Sequence, residues 1–296
     1  MTNRFKGFCW VAILGLALLT SCSATPSKRI VIGSKNFTEQ LILAELIAQH
    51  IEATTELKVE RRLNLGGTFV CHQGIVSGEL DLYPEYTGTA YSAILKLPPQ
   101  TNAQQVYAQT QQAYRQRFKL EWTEPFGFEN TFAMVIRGSD ARRLKLKTLS
   151  DAAKYAPQWQ AGFGYEFAER ADGFPGLAKV YGLRFAGPPH TMDLGLIYRA
   201  LTAKQVDIVA GNSTDGALSR LDLTILQDDK RFFPPYQAAP VVRQDTLQQY
   251  PELRKALREL GGKITVADMQ LMNDQVDSQK QDVTQVVQKF RDAKAL

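Results

Sequence analysis

The chain has 296 residues, of which 44% are hydrophobic and 22% charged, with 35 basic and 30 acidic side chains. That length accommodates two lobes of ordinary domain size, and the composition is that of a globular protein, not a disordered or fibrous one. Basic residues occur in scattered pairs such as Arg61-Arg62 and Arg142-Arg143 without forming a block, so nucleic acid is not an expected partner.

The chain opens with Arg4 and Lys6, an apolar run from Phe8 to Leu19, and small residues before Cys22. This is the order of a secretory signal, and the apolar run is short for a membrane-spanning helix. Leu19-Thr20-Ser21-Cys22 resembles the bacterial lipobox, which implies removal of residues 1–21, lipidation of Cys22 and a short tether over 22–28. A plain signal peptide with an incidental Cys22 is the alternative. Multiple acyl chains hold a protein durably on a membrane, so the mature chain is expected outside the cytoplasm, facing the periplasm or the cell exterior. Cys9 leaves with the signal and Cys22 is taken by lipid, so Cys71 stands alone, without an intramolecular disulfide or a CxxC motif. Loss of Arg4 and Lys6 leaves 33 basic against 30 acidic residues, a formal charge of +3.

After the tether, RIVIG (29–33) predicts a strand. The next segment predicts a helix capped by Asn36, with Glu39 as the reciprocal partner of a capping box and Leu43, Leu46, Ile47 and Ile51 as its buried stripe. Residues 58–63 alternate as a half-exposed strand, and 71–78 and 103–116 read as helices. Further strands are predicted over 131–136, 160–163, 207–209 and 223–226, with a helix over 192–203 where Leu194, Ile197, Tyr198 and Leu201 recur at helical spacing. Such alternation predicts an α/β fold with largely parallel sheets. The tail from 253 to 294 predicts two helical segments parted by Gly261-Gly262, the second carrying Val276, Val283, Val286, Val287 and Phe290 on one stripe. No chemistry is expected of it.

Catalytic machinery is hard to find. The sequence holds no GxSxG, GxxxxGK[ST] or HExxH string. His50, His72 and His190 are far apart and are expected on surfaces, no metal or other cofactor is expected, and Ser213 beside Asp215 lacks a neighbouring histidine. A binding protein is the expectation, with an exported hydrolase as the alternative.

The stretch DLYPEYTGTAY (81–91) is the most distinctive, crowding three tyrosines, two acids, a proline and a glycine. Together with SKNFTEQ (34–40), ENTFAMVIR (129–137), EFAERADGFPGLAKVYGL (166–183), NSTDG (212–216) and FFPPYQAAPVVR (232–243), it resembles the substrate-binding proteins of osmoprotectant ABC importers, which take glycine betaine, choline or carnitine. The matches keep their order over nearly the whole mature chain.

The resemblance implies the type II binding-protein fold, with two α/β lobes joined by two crossing hinge segments near 127–131 and 230–238. One lobe would comprise 29–128 plus 237–296, and the other 129–236. It also implies a monomer that delivers a quaternary ammonium or betaine-type zwitterion to an ABC permease. Such a cation has no N–H to donate, so aromatic faces hold it, each contributing about 0.5–2 kcal/mol.

The family's aromatic box falls here on Tyr86, Phe132, Asn212 and Tyr236. Phe132 keeps a face without a hydroxyl, and Asn212 opens a wall where an aromatic is usual, which points toward a larger or more polar cation or another zwitterion. Tyr91 either fills that gap or is core, and Tyr83 belongs to the core. For a ligand carboxylate the resemblance implies Lys35, Thr89 and Arg170, the last able to fork both oxygens or to serve as structural glue to Glu166 or Asp172. Lys35 is otherwise a solvated lysine, and Thr89 otherwise satisfies its own turn. Asn130 and Gln40 are further polar candidates.

Overall fold

A computed structural model describes residues 1–2 and 29–296. The signal segment, Cys22 and the tether lie outside the described residues. The first sheet has strand order β2-β1-β3-β10-β4, with β1 Arg29–Gly33, β2 Lys58–Arg62, β3 Leu82–Tyr86, β4 Leu120–Trp122 and β10 Ala238–Arg243. The second has order β7-β6-β8-β5-β9, with β5 Phe132–Arg137, β6 Ala161–Phe163, β7 His190–Thr191, β8 Ile208–Asn212 and β9 Leu223–Ile225.

Both sheets are mixed, a correction to the expectation of largely parallel ones. β1 runs parallel to β2 and β3, but β10 is antiparallel to both β3 and β4. Likewise β6 is parallel to β7 and β8, whereas β5 is antiparallel to β8 and β9. The reversed strands β5 and β10 each directly follow a passage of the chain from one sheet to the other. Their direction is therefore set by the passage, which hydrophobic alternation does not encode.

The passages touch each other: Glu129 and Gln237 form an antiparallel bridge, Asn130 N donates to Tyr236 O at 3.0 Å, and Ala238 N to Phe128 O at 3.2 Å.

Helix α1 runs from Thr38 to Thr54. Its N-cap is Phe37, with no side-chain cap bond, so the Asn36–Glu39 capping box does not form. Glu39 turns inward instead. The expected stripe is also too narrow: every residue from Ile42 to Ile51 is buried. A helix buried all round needs cover on its outer side, and the tail supplies it with Met269, Met272, Val286, Val287 and Phe290 in the same core. Each fully buried aliphatic there contributes about 1.5–3 kcal/mol.

The tail forms three helices, Glu252–Glu259, Val266–Asp277 and Val283–Lys294, in place of two. The segment expected as one helix over 192–203 is a short tight turn, Leu194–Leu196, followed by a helix, Ile197–Thr202. Only one histidine of three meets the surface expectation. His190 is exposed, but His50 is buried against Glu259 at 3.1 Å, and His72 packs edge-on to Tyr114 and Phe118. Loss of water pushes the His72 imidazole down to about 4. Cys71 is a free, buried thiol pushed up to about 12 by the same cause.

Candidate functional site

The DLYPEYTGTAY stretch divides its labour by position. Asp81 is a structural staple, accepting from Val31 N at 2.7 Å and from the Thr246 hydroxyl at 2.8 Å. Tyr83 is fully buried in the core and donates to Glu85 at 3.2 Å, while Tyr91 is buried and donates to Gln109 at 3.1 Å. Tyr86 alone of the three borders a cavity, so Tyr91 belongs with the core reading. Thr87 clasps the second passage, donating to Pro235 O at 3.1 Å and accepting from Gln237 N at 3.0 Å. Gly88 has to be glycine, because a Cβ would stand 2.7 Å from both Pro235 O and a Tyr236 ring carbon.

The cavity, about 190 Å³, opens between the two sheets. Its rings are Phe37, Tyr86, Phe132, Tyr165, Phe167 and Tyr236. Phe132 stands 5.9 Å from Tyr236 and 4.9 Å from Phe167, both edge-on, while Phe37 stacks on Tyr86 at 6.3 Å. Asn212 at the end of β8 forms a further piece of wall, as do Lys35, Thr89, Asn130 and Arg170. Gln40 is buried nearby without lining it, and its Oε1 accepts from Lys35 N at 3.3 Å.

The polar groups are held by buried acids. Lys35, only 2% exposed and therefore not a solvated lysine, pairs with Glu85 at 2.5 Å and donates to Thr68 at 2.8 Å. Its Nζ also lies 5.1 Å from the centre of the Tyr86 ring. Arg170 forks Asp172 at 2.9 and 2.6 Å, reaches Glu166 at 3.4 Å and donates to Thr89 at 3.2 Å, with its guanidinium 5.2 Å from the Phe132 ring centre. The glue reading of Arg170 thus holds while the residue also borders the cavity. Burial works against its charge, but the Asp172 carboxylate more than offsets this and holds it above the ordinary arginine range.

The two cavity tyrosines each donate to a buried carboxylate: Tyr86 to Glu39 at 2.7 Å, and Tyr236 to Asp172 at 2.9 Å. Burial and the adjacent acid push both phenols well above their usual range. Glu39 also accepts from Asn130 at 2.8 Å, Thr214 at 2.5 Å and Asn273 at 3.3 Å. Burial raises its pKa, and these four hydrogen bonds offset that only in part.

Asn212 Nδ2 lies 3.4 Å from Asp215, whose carboxylate takes the Tyr198 hydroxyl at 2.7 Å and the Asn212 N–H at 2.8 Å. Past Asn212 is a second cavity of about 450 Å³ that shares Asn36, Phe37, Asp193, Leu194 and Asn212 with the first. Among the described residues, no group of three or more His, Cys, Asp or Glu is placed to hold a metal ion, and no helix is long and apolar enough to cross a membrane.

Phe37 and Glu39 were missed as site residues although both lie within SKNFTEQ. Phe37 carried the signal of an aromatic in a loop before a helix, and Glu39 was masked by its fit to a capping position.

Two mixed sheets joined by paired passages, with a ring-lined cavity between them, define a two-lobed solute-binding protein. The family described as the substrate binding domain of the ABC-type glycine betaine transport system matches residues 28–293. The carnitine transport binding protein OpuCC of Listeria monocytogenes is 34% identical, with 98% of this chain and 96% of that protein covered. The ergothioneine transport permease/ergothioneine binding protein EgtU of Helicobacter pylori is also 34% identical, over 96% of this chain and 51% of that protein. A crystal structure described as a glycine betaine/carnitine/choline ABC transporter superposes with a TM-score of 0.73 at 30% identity, covering 90% of this chain and 97% of that one. The chain belongs to this family of osmoprotectant ABC-importer substrate-binding proteins.

Proposed function

We propose that the chain is a lipid-anchored extracytoplasmic protein, tethered through Cys22, that captures a quaternary ammonium or betaine-type solute and delivers it to an ABC permease as a monomer. The observation that carries this reading is that Tyr86, Phe132 and Tyr236 border one cavity together with Lys35, Thr89 and Arg170. Rings supply negative faces to a nitrogen that offers no proton, and the buried cations and the Thr89 hydroxyl suit a carboxylate at the other end. Asn130 and Gln40 are read as supporting polar groups, and Asn212 as the residue that meets whatever the ligand carries beyond its ammonium. In this reading residues 29–128 plus 237–296 form one lobe and 129–236 the other, closing on ligand. No turnover is expected, since Asp215 is engaged by Tyr198 and Asn212 and is not poised to activate Ser213. Isothermal titration with glycine betaine, choline, carnitine, proline betaine and ergothioneine tests it. Heat for at least one supports the reading, and silence for all overturns it.

A second reading, a bulkier betaine of the ergothioneine kind or another zwitterion, is favoured by Asn212 and by the cavity beyond it. In that case ergothioneine outcompetes glycine betaine in the same titration.

A further inference from the structure

The acids around the cavity are not equivalent. Glu85 faces Lys35, and Asp172 and Glu166 face Arg170. Glu39 has no lysine, arginine or histidine partner among the described residues. Its four partners are the neutral donors Tyr86, Asn130, Thr214 and Asn273. It is 2% exposed. A buried carboxylate without a countercharge is costly, and its surroundings offset that cost only in part. All four partners are oriented to donate, and Glu39 occupies the first turn of α1, where the helix dipole stabilises an anion. Asp193 and Asp215 also lack a cation among the described residues, but Asp193 is exposed and accepts only from Gly195 N, and the phenol partner of Asp215, Tyr198, borders the second cavity and not the first. Of the acids without a cation partner among the described residues, Glu39 is the one joined, through a phenol hydroxyl, to a ring of the first cavity.

We propose that Glu39, which borders the second cavity but not the first, is the remote counter-ion of a cationic group seated in the first cavity, acting through Tyr86. Glu39 contributes in two ways. Its charge lies about one ring's length from a cation seated on Tyr86, within a poorly screened interior. Its hydrogen bond also draws the phenol proton toward the carboxylate, which makes the ring face more negative for the ammonium. Glu39 is thus a positioning and charge-selecting residue. Asp172 cannot do the same for Tyr236 to the same extent, because Arg170 already neutralises it.

This inference rests on the ammonium-binding reading, and its test separates the two. Affinities are measured for two matched pairs, glycine betaine with tert-butylacetate and choline with its tert-butyl carbon analogue, in which a neutral quaternary carbon replaces the charged nitrogen. Wild-type protein should prefer the charged member. Glu39→Gln should weaken the charged member about tenfold and the carbon analogue less than about twofold, while Glu39→Asp restores part of the preference. Tyr86→Phe, which keeps the ring but cuts the link, should lower the charge preference by about threefold and serves if Glu39→Gln does not fold. Equal losses for both members, or an unchanged preference in a folded variant, overturn the role of Glu39. Failure of wild-type protein to bind any ammonium probe overturns the functional reading instead.

Discussion

Tyr86 and Tyr236 face one cavity and each donates its hydroxyl to a buried acid, but the two acids are grounded differently. Asp172, behind Tyr236, is locked to Arg170 by two short bonds, so that wall is electrically complete before any ligand arrives. Glu39, behind Tyr86, is surrounded only by neutral donors. One side of the cavity is therefore a finished structural element, and the other is backed by an acid that no cation among the described residues pairs. Stability and selectivity are separated in space, and substitutions on the two sides should have different signatures.

The largest contrast is in stability. Asp172→Asn leaves Arg170 buried with the longer Glu166 contact as its remaining ion pair and should destabilise the fold by about 3–5 kcal/mol. Glu39→Gln, which removes an already unmatched charge, should cost about 1 kcal/mol or less. Urea unfolding of both variants measures the difference, and equal losses would erase the distinction between the walls. Next in size, Tyr86→Ala should weaken an ammonium ligand on the order of 30-fold, read by titration calorimetry. Tyr236→Ala should combine a similar loss of affinity with the destabilisation expected of its tightly knit wall.

Asn212→Tyr would close the gap toward the second cavity and should shift preference on the order of tenfold toward small trimethylammonium solutes over bulkier betaines. The smallest effect is in pH dependence. In the folded chain Glu39 has a pKa above its ordinary 4.5, so the fold favours the neutral form. That contribution is complete below pH 4.5 and is lost as pH rises through the folded-state value. Melting of unliganded wild type should therefore decline with rising pH relative to Glu39→Gln, and a bound cation should narrow the gap.

Much of the fold was legible because burial writes a period into the sequence. β1, β5 and the core of α1 came from apolar spacing, and the ring positions 86, 132 and 236 came from motif resemblance. What failed had physical reasons. The capping box matched local spacing, but Glu39 is claimed by Thr214 and Asn273, which lie 175 and 234 residues away in the chain. The direction of β10 depends on a passage between sheets, and the all-round burial of α1 depends on a tail more than 200 residues further along the chain. Asn273 illustrates the limit: no chemistry is expected of the tail from its sequence, yet it supplies a hydrogen bond to the acid behind Tyr86.

The backbone contacts among Phe128, Glu129, Asn130, Tyr236, Gln237 and Ala238 have a mechanical consequence. Two separate strings would let the halves twist and slide, but two strings stitched side by side make a strap that resists shear and folds along a single crease. Tyr236 sits on that strap, so a bend along the crease also carries a ring of the pocket.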